Sequence, residues 1–309
     1  MIKNKLLLAF AFCLCVGSLD SVSAKCALKS AKYKHIILIG FDGLSSYSLN
    51  HGAQMPMFQK MMKEGAYTLE NRSVLPSSSA VNWASMFMGA GPELHGYTEW
   101  GSKVPELPSR VLNKNRIFPD IYSCIRLKYP KSELGYFYEW EGMKYLVDTL
   151  ALSTCKQVQL SEINTKVAVA PVVKYINEKK PMFCAVVFAE PDGAGHSKGW
   201  ESDDYLQMVN NLDKALAEIV KAVENAGILD ETLFILSSDH GGNNCGHGGK
   251  TMKEMQTPIV FWGNKVNSGS YIKESTMVFD IASTIGYLLD IQQPQVWIGR
   301  PIKSAFSKK

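Results

Sequence analysis

Three stretches of this chain are apolar at every position rather than at alternate ones, and each runs into a glycine-rich loop bearing aspartate or histidine. The first is Ile36-Ile37-Leu38-Ile39, entered through His35; the second is Met182 to Phe188; the third is Leu233-Phe234-Ile235-Leu236, entered through Thr232. A strand with one wetted face alternates apolar and polar residues, whereas a strand covered on both faces reads as an unbroken apolar run. Between these runs lie segments of helical period. Met57 to Met62 is part of one; Tyr205 to Val223 sets Leu206, Val209, Leu212, Leu216, Ile219 and Val220 along one stripe; Val278 to Leu289 closes as another. Pro258 to Trp262 is a fourth run of strand length. Buried strands alternating with amphipathic helices predict an α/β architecture, a mostly parallel central sheet with helices on both faces.

The chain has 309 residues, 46% hydrophobic and 20% charged, enough for one large domain with a substantial core. Residues 1–24 differ in kind. Lys3 and Lys5 precede the apolar run Leu6 to Val16, and Val22-Ser23-Ala24 offers small residues for signal peptidase. The run is too short to span a bilayer, so a cleaved export signal is expected, with a periplasmic or secreted catalytic domain over 25–309 and no stable membrane anchor. Neither Cys13 nor Cys26 sits in a lipobox. Export permits disulfides, and Cys124 with Cys155 is the expected pair because both lie in the middle region. Cys184 lies inside an apolar strand and reads as a buried thiol. Cys245, in Asn244-Cys245-Gly246, reads as a loop residue more readily than as a ligand.

The region from about Gly101 to Thr154, with Pro105, Pro108, Pro119 and Pro130, reads as a small irregular cap or lobe beside the site. Its aromatics Tyr136, Tyr138, Trp140 and Tyr145 fit a core better than a pocket lining. A net charge of +4, with only the short clusters Lys179-Lys180 and Lys308-Lys309 as solvated ends, implies no nucleic-acid polymer as partner. Asn71-Arg72-Ser73 is a formal glycosylation sequon.

Ligands of open α/β sheets bind beyond the carboxyl ends of the strands, and the acid and imidazole groups of this chain gather there. Asp42 follows the first run in Gly40-Phe41-Asp42-Gly43. Asp192 and His196 follow the second in Glu190-Pro191-Asp192-Gly193-Ala194-Gly195-His196. Asp239, His240 and His247 follow the third. Alone, an Asp-Gly after a strand is a turn, and an Asp-His couple is a hydrogen-bonded pair. Together, three carboxylates and three of the six histidines on one rim suit two zinc ions held by oxygen and nitrogen ligands with open positions for a substrate.

A nucleophile is expected on the same rim. Pro76-Ser77-Ser78-Ser79-Ala80-Val81-Asn82 feeds a helix, whose amino end favours a phosphoryl anion, and a metal-coordinated serine there would attack phosphorus. Each serine could equally cap the helix, and chemistry alone does not choose among the three. Asn82 and Lys250 are candidates for contacts to phosphate oxygens, with ordinary structural roles as the alternative.

In this order of motifs the chain resembles the alkaline phosphatase superfamily, in its nucleotide pyrophosphatase/phosphodiesterase-like branch. The resemblance covers nearly all of residues 25–309. That branch has an Asp after its first strand, like Asp42; a Pro-x-x-Thr/Ser-x-x-Asn stretch, like Pro76 to Asn82; Glu-Pro-Asp-x-x-Gly-His, like Glu190 to His196; and Ser-Asp-His-Gly, like Ser238 to Gly241. The resemblance implies an alkaline phosphatase-like fold, Ser79 as nucleophile, Asp42, Asp239 and His240 on one zinc with Ser79, and Asp192, His196 and His247 on the other. It implies a small-molecule phosphate ester as substrate, cleaved by two displacements through a phosphoserine. Two departures stand out. Where the branch places an Asn after its His-Gly segment to hold a phosphoryl oxygen, His95-Gly96-Tyr97-Thr98-Glu99-Trp100 ends in tryptophan, and the last metal histidine, His247, comes much sooner than in larger relatives.

Other readings compete. Gly195-His196-Ser197-Lys198-Gly199 matches the G-x-S-x-G elbow of serine esterases, but the run before it ends near Ala189 and no helix is expected much before Ser202, so its context fails. A sulfatase on the same fold would need a Cys or Ser followed by x-Pro-x-Arg, which Ser79-Ala80-Val81-Asn82 lacks. A phosphomonoesterase remains an alternative on the same fold. A secreted binding protein with structural zinc would favour cysteine-rich ligands.

Overall fold

The computed structural model describes residues 31–307, so the expected export signal and Cys26 lie outside the described residues. Strands β1 (His35–Asp42), β2 (Ala66–Arg72), β3 (Leu134–Tyr138), β4 (Thr154–Gln157), β5 (Phe183–Pro191), β6 (Thr232–Ser237), β7 (Gln256–Gly263) and β8 (Ser270–Tyr271) form one sheet in the order β4-β3-β5-β1-β6-β7-β2-β8. The three unbroken apolar runs are its centre. β1 lies parallel between β5 and β6, with Ile37 opposite Cys184 on one side and Phe234 on the other. Its burial on both faces is why the run does not alternate.

Ile36 and Leu38 enter a core built with the helices Ser79–Met88, Ile121–Lys128 and Asp280–Leu288. Ile37, Ile39 and Phe41 enter the opposite core, against the helices Pro56–Glu64, Ala170–Lys179 and Asp203–Asn225. Each such side chain, once fully buried, contributes about 1.5–3 kcal/mol of transfer free energy. The helix Asp203–Asn225 starts where Ser202 Oγ accepts the Tyr205 amide, with Asp203 and Asp204 in its first turn against the helix dipole.

The sheet is mostly parallel, and its exceptions matter for the site. β7 runs antiparallel to both β6 and β2. The chain therefore leaves β6 at the active rim and re-enters the sheet from that rim, so residues 238–255 stay at the strand ends. An apolar run reads alike in either direction, and the reversal is invisible in the sequence.

Residues 101–120, the first part of the expected cap, hold no helix or strand, while the rest of the segment joins the body: Ile121–Lys128 is a core helix and β3 pairs with β5. Tyr136 and Tyr138 are core residues, and Trp140 and Tyr145 are half-buried. Cys124 and Cys155 do not pair; both are free, the former buried in its helix and the latter exposed on the edge strand β4, and Cys184 is a buried thiol as expected. Asn71 is fully buried in β2 and donates to Thr257 Oγ1, which removes the sequon from solvent. No helix among the described residues is long and apolar enough to cross a membrane.

Candidate active site

The carboxyl ends of β1, β5 and β6 bring Asp42, Asp192, Asp239, His196, His240 and His247 together with Ser79. Gly43, at φ +72°, is the pivot: its amide donates to Asp239 Oδ1 at 3.1 Å, and a side chain there would overlap Asp192. Gly40 has a related role. The Trp83 ring lies over its α-carbon, and this close approach lets Trp83 Nε1 donate to Asp42 Oδ2 at 3.0 Å.

Two clusters share His240. Asp42, Asp239 and His240 form a fully buried group whose ligating atoms lie within 4.8 Å of one another, and Asp192, His240 and His247 form a second. In the first, His240 Nε2 stands 3.4 Å from Asp42 Oδ1, 3.3 Å from Asp239 Oδ2 and 3.1 Å from Ser79 Oγ, and Ser79 Oγ is 3.4 Å from Asp42 Oδ1. In the second, His247 Nε2 stands 3.6 Å from Asp192 Oδ1; His196, exposed and outside both groups, places its Nε2 3.1 Å from His247 Nε2 and 3.4 Å from Asp192 Oδ2. The His240 and His247 rings stack at 3.8 Å.

The protons of these imidazoles can be placed by elimination. Nδ1 of His196 faces the carbonyl of Cys245 at 3.0 Å, Nδ1 of His240 that of Gly241 at 2.8 Å, and Nδ1 of His247 that of Ser77 at 2.9 Å. A carbonyl only accepts, so each Nδ1 carries a hydrogen and each Nε2 of a neutral ring presents a lone pair. Three lone pairs thus converge on three carboxylates. Asp192 Oδ1 and Asp239 Oδ2 are buried without a hydrogen-bond partner. Burial, reinforced by Asp239 and Asp192, pushes the Asp42 carboxyl well above the usual range; burial does the same to Asp239, and raises Asp192 to about 6. Burial, then the neighbouring histidines, lowers His240. A cluster crowded with acceptors and short of hydrogens fits a cation, and an oxygen and nitrogen donor set fits a divalent metal such as zinc.

Ser79 opens the helix Ser79–Met88 and is 8% exposed, and of the three serines it is the one whose hydroxyl meets Asp42 and His240. Ser77 has a different place: its hydroxyl donates to the Gly249 carbonyl at 2.6 Å and accepts the Gly248 amide at 3.2 Å, while its carbonyl holds His247. Glu254 grips the same loop from behind through the amides of Gly249 and Thr251. Asn82, expected as a phosphate contact, is fully buried. Its Oδ1 accepts the Val74 amide and its Nδ2 donates to the carbonyls of Val74, Pro76 and Ser78, so it clasps the turn that presents Ser79. Lys250 is exposed. Trp200 went unnoticed in the sequence: its indole donates to the Gly43 carbonyl at 2.8 Å and its ring lies edge-on to His196 and His247. The glycines over which it packs, Gly195 and Gly242, were its signal. Cys245 is exposed and outside both clusters.

The esterase elbow fails for a reason other than the one expected. A helix does follow directly, Asp192–Lys198, beginning as β5 ends. Ser197 lies near its far end, donates to the Gly193 carbonyl of its own helix at 2.8 Å, and has no bond to His240, whose Nε2 meets Ser79 instead.

Fold and site together define an alkaline phosphatase-like α/β protein with a paired acid–histidine centre beside a helix-opening serine. The family model for type I phosphodiesterase / nucleotide pyrophosphatase matches residues 36–263, and the chain belongs to that family. It is 24% identical over 215 residues to human ectonucleotide pyrophosphatase/phosphodiesterase family member 1, an alignment covering 66% of this chain and 23% of the human protein. The chain spans less than half the length of the curated relatives it matches. Among solved structures, an inactive murine ectonucleotide pyrophosphatase / phosphodiesterase 5 in complex with AMP superposes with a TM-score of 0.67 at 14% identity, covering 89% of this chain and all of that one. A 2-O GAG sulfatase superposes with a TM-score of 0.70 at 14% identity, covering 87% of this chain and 73% of that one. Likeness at such identity is a likeness of fold.

Proposed function

We propose that this chain is an exported, zinc-dependent hydrolase of phosphoric esters, phosphodiesterase- or nucleotide pyrophosphatase-like, that works through a covalent phosphoserine at Ser79. The observation that carries the reading is the convergence of three Nε2 lone pairs on the buried carboxylates of Asp42 and Asp239 and the half-buried one of Asp192, with the Ser79 hydroxyl against Asp42 and His240. Asp42, Asp239 and His240 would hold one zinc next to Ser79, and Asp192, His196 and His247 the other. Bound there, the two ions would supply positive charge for the serine oxygen and for the anionic ester.

The chain's own residues do the rest. Asn82 and the carbonyls it binds fix the turn before Ser79, so that Oγ is presented at the positive end of its helix. Ser79 Oγ stands beside Asp42 Oδ1 and His240 Nε2, the atoms that would hold the ion, so its proton passes to water as the oxygen becomes the nucleophile. A bond forms between Oγ and phosphorus as the ester oxygen departs with its electron pair; water then displaces Oγ from phosphorus and restores the serine. Trp83 holds Asp42 in place through its second oxygen. The family match supports a phosphoester substrate, and the leader sequence supports export.

The test compares hydrolysis of p-nitrophenyl phosphate, bis(p-nitrophenyl) phosphate and the p-nitrophenyl ester of thymidine 5′-monophosphate, before chelation, after it, and after zinc is restored. The expected result is preference for a diester, loss of all turnover on chelation and recovery with zinc. Rates unchanged by chelation would remove the metal mechanism; preference for the monoester would favour a phosphomonoesterase.

A further inference from the structure

Trp100 is 68% exposed, yet it is not on a loose loop. Its carbonyl accepts the Ala80 amide at 3.1 Å, one residue beyond Ser79. Glu106 ties the segment before and after it by accepting from the Thr98 amide and the Ser102 hydroxyl, and Ser102 Oγ closes the turn on Glu99. The indole stacks on Trp140, with centroids 6.4 Å apart and planes at 23°. Trp140 is immobilised in turn: it packs on the core, and its ring lies over Gly142, where any Cβ would overlap it. Trp140 stands just past the end of β3, on the same rim as the acid–histidine centre. Because β5 alone separates β3 from β1, that end is about 10 Å from Asp42 at the usual strand spacing. Lys103 and Lys144 lie by the ring of neighbouring Tyr145, and Lys144 is paired with Glu141.

An indole this exposed leaves apolar area in water, and here backbone and side-chain bonds hold it in that state. We propose that Trp100, backed by Trp140, is a stacking platform for a flat aromatic ring carried by the phosphate ester, a nucleobase or an aryl group, whose phosphate lies at Ser79. The inference rests on the phosphoester reading of the site. On this reading affinity comes from the organic group as well as from the phosphate.

The test is calorimetric titration of the zinc-loaded full chain carrying Ser79→Ala with AMP and with ribose 5-phosphate, which differ only in the base. AMP is expected to bind about ten-fold more tightly, an ordinary increment for one stacked base. Trp100→Ala should erase that difference and Trp100→Phe should keep most of it. Equal binding of the two ligands, or an AMP advantage that survives Trp100→Ala, would overturn the platform. If neither phosphate binds, the metal-centre reading has failed, and adenosine alone then decides: weak binding lost in Trp100→Ala supports the platform, and no binding overturns it.

Discussion

Replacing Ser77 by alanine should weaken one metal site and spare the other. The Ser77 hydroxyl is buried and makes two bonds to the loop that carries His247, to the Gly249 carbonyl at 2.6 Å and from the Gly248 amide at 3.2 Å. Alanine leaves both backbone groups short of a partner inside the protein, at about 1 kcal/mol or more each, so the variant should lose about 2 kcal/mol of stability. For a chain of this size that is a fall of roughly 5 °C in Tm. The more telling effect is local. Gly248 and Gly249 adjoin His247, whose Nδ1 bond to the Ser77 carbonyl orients the ring, and loosening a metal histidine's support typically costs about 10–100-fold in affinity. Asp42, Asp239 and His240 make no bond to the Ser77 hydroxyl, so the metal beside Ser79 should be retained. Competition with a chromophoric chelator, counting zinc released in each phase, measures both sites at once. Release of one equivalent at about 10–100-fold lower chelator strength, with the other unmoved, is the expected result. Wild-type release of both ions, or equal weakening of both, would refute the argument that this hydroxyl positions His247.

Other outcomes follow from the same geometry. Gly40→Ala forces a methyl group into the Trp83 ring, which should cost about 1–3 kcal/mol by overpacking and draw Nε1 away from Asp42; chemical denaturation and zinc content read the two effects separately. Asp120 is buried at the start of the helix Ile121–Lys128, and burial raises its carboxyl to about 7. Its folded pKa exceeds its unfolded one, so its contribution is present in acid and is lost as pH rises from about 4 through about 7, on the order of 4 kcal/mol in all. Asp120→Asn should flatten the fall in unfolding free energy between pH 5 and pH 7; an unchanged slope would remove Asp120 as its source.

How far the sequence discloses this molecule depends on the range over which each signal acts. β1, β5 and β6 were legible because a strand covered on both faces carries its burial in its own residues, and Asp42, Asp192, His196, Asp239 and His240 were legible because they sit directly at those strand exits. β3 was not. Leu134–Tyr138 is fully buried, but its Gly-Tyr-Phe-Tyr stretch lies in a proline- and aromatic-rich region and carries no β-branched residue. β2, Ala66–Arg72, carries Glu70 and Arg72 and lies toward the sheet edge, so no apolar run marks it. His247 could be placed near the site by sequence distance, but not oriented, because its anchor is a carbonyl 170 residues away. Asn82 shows the converse. Its residue type suggests a phosphate contact, and only the fold reveals that the amide is occupied by the turn it holds.

The covalent step is the centre of this account. Turnover of the p-nitrophenyl ester of thymidine 5′-monophosphate, quenched in acid within the first cycle and mapped by peptide mass, reads it directly. A thymidylyl group on the peptide containing Ser79, absent in Ser79→Ala and absent after chelation, is the predicted result. Full turnover by Ser79→Ala, or the adduct on another residue, would contradict it.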